Sequence, residues 1–195
     1  MENLALQRNI SLIMNKGFEK AARSFSQMVN RNLSVAHSNS VLIDQDQEFY
    51  YSAEEGNLMV LTTNMIGDLS GSSFLILNEK ESAEICRSVS PTKVMEKKIQ
   101  EALLLEIDNI ISASVIGQLA DDLGIEAYGD VPNLEYVHTK SIQQYLSSAI
   151  SSENQTSIVL CNATFLLENN NHIHPQFIWK LSTKVFEMIQ QQSVL

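Results

Sequence analysis

The chain has 195 residues, 44% of them hydrophobic, enough for one domain with a sizeable core. Its 23 acidic and 13 basic residues leave a formal net charge of −10, which argues against nucleic acid or anionic lipid as a partner, since both need clustered positive charge. No uninterrupted apolar run approaches the ~18 residues of a membrane span, the N-terminal MENLALQRN lacks the basic-then-apolar plan of a secretion signal, and the cysteines, Cys86 and Cys161, read as reduced core thiols of a cytoplasmic protein.

The first 30 residues read as a helix, because Leu4, Leu12, Ile13, Phe18, Ala22, Phe25 and Met28 recur at helical spacing. Asn30-Arg31-Asn32 ends it. Leu33 and Val35, then Val41 and Ile43, alternate with polar residues as strands do. Phe49-Tyr50-Tyr51 is a short β-prone run, and Leu58–Met65 is the next strand. Gly67-Asp68-Leu69-Ser70-Gly71 is a hairpin turn into the strand Ser73–Leu77. Glu79–Ser88 is a short helix. Pro91 then opens a long helix that Gly124 stops. Beyond it lie a strand from Ile125, a helix near Ser141–Ile150, strands at Ser157–Leu167 and Ile173–Lys180, and a helix at Thr183–Gln191.

The second half replays the first. Shifted by 94, Leu12–Asn15 falls on Glu106–Asn109; shifted by 104, Leu69–Cys86 falls on Ile173–Gln190, strand on strand and helix on helix. The expected architecture is α+β, a single domain over 1–195 built from two α-β-β-β-α units, residues 1–91 and 92–195. The units should pair about a pseudo-two-fold axis, sharing one sheet with the two long helices lying together on it.

The informative segment runs from Glu101 to Leu119. Leu103, Ile107, Ile110, Ile111, Ser114, Val115 and Leu119 form the expected core stripe of its helix. Glu106 and Asn109 are three apart, one turn, so their side chains are neighbours. Ala102 and Ala113 continue that face, and small residues let another protein come close.

Glu106-x-x-Asn109 on a long helix, with 22 residues, 110–131, before Pro132, resembles the signature of the CheC/CheX/FliY phosphatases, which act on the phosphorylated chemotaxis response regulator CheY. Leu12-Ile-Met-Asn15, Gly17, Ala21-Ala22 and Ser26-Gln-Met28 are similar to the family's first helix, and Met65-Ile-Gly67-Asp-Leu-Ser-Gly71 is also family-like. The resemblance covers nearly the whole chain and implies a CheC-like domain. It implies that Asn109 positions the water that attacks the aspartyl phosphate, that Glu106 pairs with a lysine of the regulator, and that Pro132 is supporting structure. It also implies that the Mg²⁺ belongs to the regulator, with no cofactor or metal in this chain.

The sequence departs from the family pattern at two places. Ala102 stands where the family often has Asp or Ser, Glu101 being one step away and pointing elsewhere. In the first half, Leu12 replaces the Glu, Ser38 stands where Pro is expected, and Asn15 is left beside Lys16, so that site reads as degenerate. The rival expectation is a non-catalytic module that binds a phosphorylated regulator or a CheD-like partner, as a monomer or homodimer. A flagellar switch component of the FliY kind is a third, weakened because such proteins carry a further C-terminal domain and this sequence ends at Leu195. His172-x-His174 could place two imidazoles on one strand face, but no other ligand completes a metal set. Trp179 reads as core, and Asp121-Asp122 stands against the helix dipole at a C-terminus.

Overall fold

A computed structural model describes residues 2–29, 32–43, 55–90, 94–150, 156–167, 172–173 and 175–192. In chain order these form α1 (Glu2–Val29), β1 (Leu33–Ile43), β2 (Asn57–Gly67), β3 (Gly71–Asn78), α2 (Glu79–Val89), α3 (Lys97–Leu123), β4 (Ala127–Gly129), β5 (Asn133–His138), α4 (Thr139–Ile150), β6 (Thr156–Leu167), β7 (His172–Ile173), β8 (Gln176–Ser182) and α5 (Thr183–Gln192). The Phe49–Tyr51 run lies outside the described residues.

All eight strands join one antiparallel sheet in the order β1-β6-β8-β3-β2-β4, with β5 also on β2 and β7 on β6. The order reads alike from either edge. An outer strand that follows a long helix (β1, or β4 and β5) comes first. Next is a long strand (β6 or β2), and then a central strand (β8 or β3) that runs directly into a short helix. The central pair is β3 on β8, Phe74 opposite Ile178. The class is α+β, as expected.

Alternation along the strands feeds two cores. On one face Met59, Leu61, Leu75, Leu77, Val159, Cys161, Phe177, Trp179 and Leu181 meet α1, α3, α2 and α5. On the other Leu58, Val60, Phe74, Ile76 and Ile178 meet Ile142 and Leu146 of α4. Lys180 also points to α4, buried, and donates to the Ala149 carbonyl in that helix's last turn (3.2 Å), where the helix dipole favours a cation. Both cysteines are buried and free, and burial pushes the Cys161 thiol up to about 12.

The two long helices lie together on the larger core. Phe18 anchors α1, its ring edge-on to Phe165 at 6.3 Å and tilted against Phe177 at 5.0 Å. Where α1 meets α3, a Cβ on Gly17 would stand 2.8 Å from the Val115 Cα, so only glycine permits the observed approach. At the far end of α3 the acidic pair finds its partners: Lys16 meets Asp122 at 3.2 Å and Lys20 meets Asp121 at 3.7 Å. The two lysines of α1 thus account for acidic residues that the helix dipole disfavours.

Three expectations are corrected. The long helix starts at Lys97 rather than Pro91: Glu96 is extended, and its carbonyl takes the first bonds, from Ile99 and Gln100. The Gln100 side chain donates back to Met95 (2.8 Å), and Lys97 sits 4.5 Å over the Tyr136 ring, which fixes the chain just before the first turn. Along β1 the simple alternation fails, because the register on β6 shifts between Val35 and His37. After that bulge the inward parity is reversed: Ser40 and Leu42 face the core and Val41 is exposed. The core face of α3 is also rotated. Leu104, Asp108, Ser112 and Ile116 are buried, whereas Leu103 and Ile110 pack only at the margin. Gly124, left-handed at φ 68°, ends α3 as expected.

Candidate functional site

Helix α3 turns Leu104, Ile107, Ile111, Val115 and Leu119 inward. Helical geometry then puts residues 102, 106, 109 and 113 on the outward side, spaced four, three and four apart. All four are exposed. Ala102, Glu106, Asn109 and Ala113 thus form one stripe, rising over ~16 Å at 1.5 Å per residue. The Glu106 and Asn109 side chains make no hydrogen bond or ion pair with any other described residue. A carboxylate and a carboxamide stand side by side, with methyl groups above and below. Such a surface can approach another protein closely while offering an anion, an acceptor and a donor.

Beneath this stripe lies a feature that periodicity did not reveal. Asp108 is 1% exposed, and its carboxylate Oδ2 accepts a 2.7 Å bond from the Thr63 hydroxyl of β2. Burial raises its pKa to about 7, against the lowering effect of that bond. One turn on, the buried Ser112 hydroxyl donates to the Asp108 carbonyl (2.7 Å) and lies 3.3 Å from that of Asn109. A Cβ on Gly129 of β4 would meet the Thr63 methyl at 3.0 Å, the Ile116 side chain at 3.3 Å and the Ser112 hydroxyl at 3.9 Å. The missing side chain is what lets β4 close over this spot. The signal for Asp108 was present in its spacing, four from both Leu104 and Ser112 and seven from Val115. A charged residue within that series reads as surface unless a partner is known.

Pro132 is half-buried in the connection between β4 and β5, immediately before β5. That connection is tied down by the Asp130 amide donating to Asn64 (2.8 Å) and the Val131 amide donating to the Asp130 side chain (2.7 Å). Glu101 points away from the stripe, accepting a 2.8 Å bond from the Tyr136 hydroxyl and standing 3.7 Å from Lys97. In the first helix Leu12 is 51% exposed and Asn15 is half-buried with a partner of its own, while neighbouring Lys16 is held by Asp122. His174 lies outside the described residues, and among the described residues no three His, Cys, Asp or Glu side chains gather as a metal set. Helix α3 is long and apolar enough to cross a membrane by length and composition, but half of that stretch is buried against the rest of the protein.

No family model matches the sequence, and no curated protein does. Solved structures do match its fold. FliY of Thermotoga maritima superposes with a TM-score of 0.69 at 16% identity, over 95% of this chain and 94% of that one. The FliM middle domain of H. pylori gives 0.56 at 9% identity, over 95% and 97%. A CheX–CheY–BeF3–Mg²⁺ complex from Borrelia burgdorferi gives 0.51 at 11% identity, over 86% and 96%. The chain therefore has the fold of the CheC/CheX/FliY proteins, an eight-stranded antiparallel sheet carrying two long paired helices.

Proposed function

We propose that this protein is a cytoplasmic phosphatase of a CheY-like response regulator, with one working site, on α3. The observation that carries the reading is the exposed pair Glu106 and Asn109, whose side chains have no partner among the described residues, one turn apart between two alanines on the helix where the resemblance places the catalytic signature. The regulator brings its own Mg²⁺ and lysine, so the phosphatase need only place a water in line with phosphorus. Its oxygen bonds to phosphorus as the bond to the aspartyl oxygen breaks. The carboxylate leaves with the electron pair, and the water's proton passes to the phosphate. A neutral amide suits this task, because Asn109 can hold the water without setting negative charge beside the phosphoryl oxygens. Glu106 pairs with the regulator's lysine and fixes the helix in register. Pro132 and Gly129 shape the strands behind it, residues 1–91 and 92–195 are the two repeats, and the Leu12/Asn15 position is degenerate.

The test is the decay of aspartyl phosphate on CheY-like receivers, with and without the protein. Asn109→Ala should slow the accelerated decay by ~10²-fold while leaving affinity for a beryllofluoride-activated receiver unchanged. Acceleration that survives in Asn109→Ala would remove Asn109 from the mechanism. A second reading, a non-catalytic module that binds a phosphorylated regulator or a CheD-like partner, is favoured by the bare methyl of Ala102 on the stripe and by the same fold in a FliM domain. It requires binding without any acceleration.

A further inference from the structure

We infer that Asp108 is a positioning residue: the buried bond from Thr63 to its carboxyl holds the turn of α3 carrying Glu106 and Asn109 in one place on strand β2. The inference rests on the reading of Glu106 and Asn109 as a phosphatase site. The rest of the inward face of this helix is Leu, Ile, Val and Ala with two serines. A leucine at 108 would be at home there, and replacing a buried charged or polar group by an apolar one of like size is often neutral or stabilising. Stability alone therefore gives no account of a carboxyl at this position.

A hydrogen bond supplies what apolar contact lacks. Apolar packing has no preferred direction within a contact, whereas an O–H···O bond weakens steeply with distance and angle. The Thr63–Asp108 bond of 2.7 Å ties α3 to the sheet between the two outward residues in sequence. Gly129 lacks the side chain that would otherwise push β4 off the same spot, where the Thr63 methyl and the Ile116 side chain already stand. A roll of α3 about its axis would move the Asn109 amide sideways, and misplacement by about 1 Å at a reacting centre can cost ~10²-fold in rate. The elements packed on the carboxyl present Thr63 and Gly129, and no charged side chain among the described residues bonds to it.

Three variants test this: Asp108→Leu, which fills the space without an acceptor; Thr63→Val, which removes the donor at constant shape; and Asp108→Asn, which keeps an acceptor for the Thr63 hydroxyl. Hydrogen exchange is the first readout. Asp108→Leu and Thr63→Val should lose about tenfold or more of the protection of amides 109–113 without losing global stability, and Asp108→Asn should keep it. The second readout is single-turnover dephosphorylation at saturating protein. The rate should fall about tenfold or more in Asp108→Leu and Thr63→Val, with a smaller change in receiver affinity, and recover in Asp108→Asn. Unchanged exchange in Asp108→Leu, or a folded Asp108→Leu as fast as the wild type, overturns the inference. A wild type that accelerates no receiver, with the exchange pattern as expected, leaves the anchor standing and sinks the phosphatase reading instead.

Discussion

Glu106 and Asn109 share a helical face, the proposed function asks different work of them, and their substitutions should separate. Removing the Glu106 carboxylate should cost about 1.5–3 kcal/mol of docking, the worth of a hydrogen bond to a charged group, and so raise the Kd for an activated receiver by roughly tenfold to a hundredfold. Titration by calorimetry checks this, and equal affinity in Glu106→Ala would take docking away from that residue. Asp108 makes a different prediction. Its native pKa of about 7 lies above the ordinary carboxyl value of 3.8, so the folded state keeps a proton that the unfolded chain has lost. Its stabilising contribution is complete below pH ~4, falls as pH rises to ~7 and is flat above. Asp108→Asn should therefore flatten the decline in stability between pH 5.5 and 7, measured by urea midpoints, and be the more stable protein at pH 8. The outward pair was legible because exposure follows from spacing once the apolar stripe is drawn. Asp108 was not, because its burial depends on a hydroxyl 45 residues away in sequence.

At the level of elements, the site depends on how α3 is held between α1 and the sheet. Gly17 sets the first contact. An alanine there would bring its Cβ to 2.8 Å from backbone at Val115 and 2.9 Å from its side chain. The backbone atom has no rotamer to retreat into. Overpacking of this kind costs ~1–3 kcal/mol, offset by up to ~1 kcal/mol of helix propensity. Gly17→Ala should thus destabilise by about 1–2 kcal/mol, seen as a lower urea midpoint at unchanged slope. The Lys16–Asp122 and Lys20–Asp121 pairs are exposed on their lysine sides and contribute at most ~1 kcal/mol each. Tight apolar contact, not charge, joins these helices. Most elements were legible in the sequence, since long apolar periodicities and Gly or Asn punctuation mark them well. The capping box at Asn78 and Glu81, with both reciprocal bonds formed, shows why α2 starts where it does. The start of α3 and the parity of β1 were not legible, because one is fixed by Tyr136, far along the chain, and the other by a bulge against β6.

For the whole molecule the decisive feature is the strand order. Within the first ninety residues β2 pairs β3, but among the described residues β1 pairs only β6, from the second half. The other ladders that join the halves are β3 on β8, and β2 on β4 and β5. Neither half can complete its sheet or cover its apolar face alone, and pairing so distant in sequence also predicts slow folding. Two polypeptides made by dividing the chain between Ser90 and Val94 should each be unfolded alone by circular dichroism and should regain native helicity when mixed in equal amounts. The candidate site itself is divided by that cut, Thr63 falling on one piece and Asp108 with Asn109 on the other. Any catalysis by the mixed pieces would then fade on dilution as a dissociating pair does, half of it lost where each piece is present at twice their Kd. The uncut chain, diluted alongside, would keep the same turnover per molecule throughout.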